Sequence, residues 1–147
     1  MVEPTNGVVV LLPIKPRYAT QIMDGRKRVE FRRRPFGRTP EWVVVYASAP
    51  VQRVLGCFRV GGVETDAPAS LWERFGDVGG IERADFWAYF SDRDVGTALC
   101  IDTVLTLPRP LRLDDMDASL QAPQSYKYLD PEVMIALESR AEFALLP

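Results

Sequence analysis

Four stretches of this chain are too apolar and too β-branched to lie at a surface, and they constrain its fold more than any other feature. They are GVVVLL at 7–12, WVVVY at 42–46, VQRVLGCFRV at 51–60 and VGTALCIDTVLTL at 95–107. Short runs of this kind, bounded by Gly and Pro, predict strands with both faces covered. Gly56 and the pair Gly61-Gly62 mark a close backbone approach or a bulge in the third strand. Pro108 and Pro110 should close the fourth.

Between the strands the period changes. Lys15-Pro16 opens a segment with Tyr18, Ala19, Ile22 and Met23 at helical spacing, and Gly25 follows as a stop. Residues 70–76 and 83–90 read as two short helices whose apolar faces come from Trp72, Phe75, Phe86, Trp87 and Phe90. Residues 113–129 read as irregular. A final helix begins at Asp130-Pro131-Glu132, with Asp130 as N-cap, and carries an apolar stripe of Met134, Leu137, Ala141 and Leu145. Strands interrupted by short helices predict a mixed α+β domain on a small curved sheet or barrel. With 147 residues there is room for one such core. The expected division is 1–129 for that domain and 130–147 for a helical extension packed on it.

The chain contains no histidine and two cysteines, Cys57 and Cys100. Histidine triads, histidine general bases and histidine-ligated zinc are thereby excluded. Both cysteines sit in apolar runs and read as small buried hydrophobes of a reducing cytoplasm. The apolar run at residues 8–13 is too short to span a membrane and lacks a basic leader. No membrane contact is expected.

Net charge is −2, but residues 15–38 carry nine cations against Asp24 and Glu30, a local +7 that leaves −9 on the rest. The density peaks in GRKRVEFRRR at 25–34, six cations around one carboxylate. An acidic body with one basic segment suits a restricted anion site rather than indiscriminate nucleic-acid coating. Within the segment the period is two. Val29 and Phe31 face the core; Arg28, Glu30, Arg32 and Arg34 face the other way.

The segment GRKRVEFR, Gly25 to Arg32, resembles the G-x-K-x-x-E-x-R signature of the ASCH domain, a branch of the PUA-like β-barrel superfamily. LLPIKPRYATQIMDG is similar to that family's opening strand and helix, and VVVYASAPVQRVLGCFRV to its central strand pair. LWERFGDVGGIERADFWAYF and APQSYKYL resemble segments of a subgroup described as predicted transcriptional regulators. The resemblance covers about residues 8–129. It implies a PUA-like barrel with short peripheral helices, and a pocket for RNA or a nucleotide lined by Lys27, Glu30 and Arg32. Relatives include RNA-cleaving enzymes and a group that removes the acetyl group of N4-acetylcytidine. In that group a threonine stands where this chain has Glu30, so amide hydrolysis by that route lacks its hydroxyl.

The residues carry a chemical argument of their own. Glu30 and Arg32 on one strand face lie roughly 6.5–7 Å apart along it. That spacing leaves room for a planar group between them: Arg32 donates to a phosphate or base edge and Glu30 accepts from an exocyclic amine. Lys27 at the strand start should reach a phosphate as a flexible point charge. The alternative is a solvated charge ladder contributing about 0–1 kcal/mol per pair. Further candidates for the same pocket are Lys15, Tyr46, Ser48, Arg33 and the polar loop of Gln124, Ser125 and Tyr126. An aromatic stacked on a base contributes about 1–3 kcal/mol. If the protein is a hydrolase, proton transfer falls to Lys27, Glu30 or Tyr46, with a divalent ion as possible helper; otherwise no cofactor is expected.

Overall fold

The computed structural model describes residues 7–140 and the backbone of 142–143. The strands are β1 (Val9–Ile14), β2 (Val29–Arg32), β3 (Trp42–Ala47), β4 (Arg53–Asp66), β5 (Gly96–Leu111), β6 (Lys127–Leu129) and β7 (Glu142–Phe143). The helices are α1 (Pro16–Met23), α2 (Pro68–Phe75), α3 (Arg83–Tyr89), α4 (Leu113–Met116) and α5 (Val133–Arg140). One sheet runs in the order β2-β5-β4-β3-β1-β6, with β7 also on β5. Among the described residues only β1 and β3 pair in parallel; the other neighbours are antiparallel. The α+β class expected from the sequence is the one observed.

The parallel register sorts the apolar runs onto two faces. Val9 pairs with Trp42 and Leu11 with Val44, and these enter one core cluster. Val10 pairs with Val43 and Leu12 with Val45, and these enter the opposite one. Each such buried aliphatic contributes roughly 1.5–3 kcal/mol relative to exposure. Helix α1 covers the second face with Ala19 and Ile22, and α5 covers the first with Met134 and Leu137. A third cluster joins Val29 and Phe31 of β2 to Leu71, Phe86 and Phe90 of α2, α3 and the residue after it. Val29 and Phe31 are therefore core, as their period required.

Several boundaries differ from expectation, each for a local reason. Strand β5 passes through Pro108 and Pro110 instead of stopping there. Its ladder with β4 skips from Thr106 to Leu111, so neither proline is asked for a hydrogen bond. The stretch expected to be irregular holds α4 and β6, the latter hydrogen-bonded to β1. The final helix ends at Arg140; Glu142–Phe143 turns into a strand against Leu105 and Thr106. Ala141 and Leu145 of the expected stripe lie outside the described side chains. Asp130 Oδ1 accepts from the Glu132 N–H at 2.9 Å, but this bond sits in the turn at 131–132, and the helix begins at Val133, two residues later than a cap at Asp130 would place it. Trp87 is exposed and supplies less core than expected.

The glycine expectations in β4 hold. A side chain at Gly56 would strike the Leu105 carbonyl, and the register shifts around Val60 and Gly62 mark a bulge. These bends curl the long β4–β5 pair and leave β2 beside the N-terminal end of α1.

Candidate functional site

After α1, Gly25 adopts φ +85°, which reverses the chain and lets the Lys27 N–H return to the Gln21 carbonyl at 3.0 Å. The Arg28 N–H then donates to the Val78 carbonyl at 2.8 Å, and β2 enters its ladder with Glu30 opposite Leu99 and Arg32 opposite Thr97. This anchoring aims the signature side chains inward.

Glu30 is the centre of the site. Its Oε2 accepts from Arg32 Nη1 at 3.1 Å and its Oε1 lies 3.5 Å from Lys27 Nζ. Glu30 has 7% of its side chain exposed, Lys27 2% and Arg32 18%. Lys27 also donates to the Gly79 carbonyl and lies 5.1 Å from the Tyr18 ring centroid. Burial pushes the Lys27 ammonium below its ordinary pKa, while the Glu30 carboxylate opposes that shift.

Two expectations are thereby corrected. Lys27 is not a free arm reaching for phosphate; it lies enclosed beneath Glu30, held by the Gly79 carbonyl and the Glu30 carboxylate. Glu30 and Arg32 do not stand apart on the strand face; the Arg32 side chain folds back onto the carboxylate. The solvated ladder fails as well, since exposed pairs do not bury a carboxylate between two cations.

A cleft of about 580 Å³ opens over this trio. Its floor is Glu30 and Arg32; Lys15, Ser48 and Gln124 line it, together with Tyr18 and Tyr89. Lys15 is there because it caps α1, and Ser48 because its N–H donates to the Ile14 carbonyl at 2.9 Å. Arg33, Ser125 and Tyr126 line an adjoining hollow that shares Arg32, Tyr89 and Gln124 with the cleft. Tyr46 is elsewhere. It packs in the core layer of Trp42 and Val44 and borders a separate hollow with Gln52 and Arg112. The strand pleat sends it to the face opposite Ala47, so it is not brought to Lys27 and Glu30.

Reasoning from sequence misses Tyr18, Tyr89, Arg17 and Gly79 as site residues. The helical spacing marks Tyr18 only as core, and Tyr89 sits in an aromatic helix whose placement no spacing announces. Burial raises both phenol pKa values, so each stays a neutral hydroxyl at ordinary pH. Arg17 Nη2 donates to the Tyr18 hydroxyl at 2.9 Å and lies 3.6 Å from Asp85. The signal for Gly79 is the Gly79-Gly80 pair, which admits the backbone to Lys27.

The arrangement suits a planar polar ligand. A carboxylate has about four acceptor positions, and Lys27 and Arg32 each use one, leaving acceptor capacity toward the cleft. Arg32 has further N–H donors beyond the one on Glu30. Among the described residues no cluster of three or more metal-ligating side chains occurs. No helix there is long and apolar enough to cross a membrane.

Residues 12–106, with the Gly25–Arg32 signature inside them, match the ASCH domain. The chain belongs to the ASCH domain family. An ASCH domain-containing ribonuclease of Zymomonas mobilis is 28% identical to this ASCH chain over 90% of it and 93% of the relative. The crystal structure of ASCH from Zymomonas mobilis superposes with a TM-score of 0.80 at 27% identity, covering 92% of this chain and 96% of that one. The N-terminal domain of Staphylothermus marinus McrB, at 14% identity and a TM-score of 0.56, covers 94% of this chain and 99% of its own. That last likeness concerns the fold alone.

Proposed function

We propose that this ASCH chain binds RNA and takes one unpaired nucleotide into the cleft above Glu30 and Arg32. Glu30 accepts from an exocyclic amine, Arg32 donates to the base edge or phosphate, and Lys15 meets phosphate at the rim. Tyr18 offers a ring for stacking. The observation that carries this reading is the buried Lys27–Glu30–Arg32 trio, with one oxygen of the carboxylate near each cation. A plain phosphate patch has no use for a carboxylate fixed at its floor. Placement in a reducing cytoplasm, and a regulatory role exercised through RNA, agree with the free thiols of Cys57 and Cys100 and with the resemblance to regulator-like relatives.

A panel of nucleosides and nucleotides tested by thermal shift, with labelled single-stranded RNA as the second probe, decides it. Amine-bearing bases should stabilise the protein more than uridine, and Glu30→Gln should abolish that preference. An unchanged preference in Glu30→Gln overturns the reading.

A second reading, RNA cleavage, is favoured by the Zymomonas relative's name. Glu30 at the cleft floor then faces the bound nucleotide, and Lys27, enclosed beneath it, acts only electrostatically through the carboxylate; a divalent ion would be recruited with the substrate. Incubation of the protein with single-stranded RNA and with N4-acetylcytidine, with and without EDTA, tests it. RNA turnover lost in Glu30→Gln supports cleavage, turnover of N4-acetylcytidine alone replaces it with amide hydrolysis, and absence of turnover retires both.

A further inference from the structure

We propose that the hollow beside the cleft is a phosphate subsite, so that the ligand is a single-stranded RNA running from one to the other rather than a free nucleotide. This rests on the cleft taking a base. The hollow encloses about 550 Å³ and is lined by Arg32, Arg33, Arg34 and Arg93, with no carboxylate in its lining. The cleft, by contrast, contains Glu30 and Asp85. One compartment can therefore read a base through a carboxylate acceptor, while the next presents four guanidinium groups and neutral polar side chains.

The arginines are differently engaged. Arg32 is committed to Glu30 and Arg33 to Asp92, whose side chain is 71% exposed. Among the described residues neither Arg34 nor Arg93 forms an ion pair. The Arg93 Nε is shielded from solvent and has no hydrogen-bond partner. A shielded, unpaired guanidinium N–H is an unmet demand that an anion relieves.

The hollow is also held in shape. The Arg33 N–H donates to the Tyr89 hydroxyl at 3.2 Å, and the Phe36 and Tyr126 ring centroids are 4.7 Å apart. Tyr126 accepts from the Gly37 N–H at 3.4 Å and Tyr128 from the Arg38 N–H at 2.7 Å. These bonds brace the loop after β2 from two sides, so little ordering is left for the ligand to impose. Arg32, Tyr89 and Gln124 belong to both compartments, and that shared wall is the path of the strand. A base in the cleft must have its edge free for Glu30, so the strand entering it is unpaired there.

The test uses the whole chain with two probes, cytidine monophosphate and a labelled single-stranded RNA oligomer. The oligomer should bind wild-type protein more tightly than the mononucleotide. Combining Arg34→Ala with Arg93→Ala should weaken oligomer binding roughly tenfold and lower the log–log salt slope by about 0.7 for each phosphate no longer neutralised. Mononucleotide binding should be unchanged. Oligomer affinity and slope that match wild type in the double variant overturn the subsite, as does equal binding of an RNA duplex. Wild-type protein that binds the mononucleotide but gains nothing from the oligomer overturns the subsite alone. Protein that binds neither probe overturns the cleft reading with it.

Discussion

Lys27 is sealed beneath Glu30, its ammonium 3.5 Å from Oε1 and hydrogen-bonded to the Gly79 carbonyl. That relationship makes a residue expected to bind ligand into the support for the carboxylate proposed to do so. A buried charge of this kind is tolerated only because a carboxylate and a carbonyl both face it.

Lys27→Met keeps most of the volume and removes the charge. Glu30 retains Arg32, but the Gly79 carbonyl loses its donor and the carboxylate its buried cation. The expected loss is about 3 kcal/mol, the lower end for breaking a buried pair. Urea unfolding of the two proteins with equal m-values measures it. A variant as stable as wild type would remove Lys27 from the support of the site.

The same lysine gives a pH signature. Burial lowers its folded-state pKa below the ordinary 10.5, against the opposing pull of Glu30. Below the folded-state value both folded and unfolded chains hold the proton, and the full cost of burying the charge is present. Between that value and 10.5 the unfolded chain binds the extra proton, so folding becomes more favourable as pH rises. The stability of wild type relative to Lys27→Met should therefore increase toward alkaline pH. A difference flat up to the ordinary lysine pKa contradicts the burial-driven shift.

Gly80→Ala tests the turn that admits Lys27. Gly80 has φ +63°, and an added Cβ would lie 3.0 Å from Lys27 Cβ and closer still to the Gln21 amide oxygen. The left-handed backbone alone costs about 1–2 kcal/mol for a residue with a Cβ. The expected loss exceeds that range because the Lys27 stem must move, and nucleotide binding should weaken along with stability. Thermal unfolding and ligand titration on the same sample separate the two effects.

Much of this fold is legible in the sequence because its signals are local. The apolar runs of β1 and β3, α1 with its stop at Gly25, and the alternation of Val29 and Phe31 each follow from one short stretch. The charge cluster is also legible as a candidate site, since Glu30 interrupts it. What the sequence conceals depends on long-range placement. Gly79 meets Lys27 across 52 positions of chain, and Tyr89 reaches Arg33 across 56. Tyr46 borders a separate hollow, and not the cleft, because the residue before a loop can face either side and the pleat alone decides.

The two thiols differ enough to be distinguished chemically. Cys57 is enclosed in the core and its thiol is pushed up to about 12 by burial, with Glu138 adding in the same direction. Cys100 is half-buried, its pKa raised chiefly by burial as well. They pair with different residues, Cys57 with Leu105 and Cys100 with Val29 and Gly62, and both are free thiols. At mildly alkaline pH a thiol reagent should modify Cys100 slowly and leave Cys57 untouched until denaturant is added. Equal rates at both would contradict this burial.

Arg32 separates charge from geometry in the proposed RNA contact. It holds Glu30 through Nη1 and borders both the cleft and the hollow. Arg32→Ala should weaken RNA binding and lower the salt slope by about 0.7, the value for one phosphate on a single strand. Arg32→Lys restores a positive charge but not the planar fork that spans carboxylate and ligand. The lysine variant should therefore recover the slope while its preference for amine-bearing bases stays diminished, because Glu30 is no longer held in register. Fluorescence polarisation across a salt series gives the slope, and the nucleoside panel gives the preference. Full recovery of both by lysine would mean that Arg32 acts as a point charge and that the floor of the cleft reads no base.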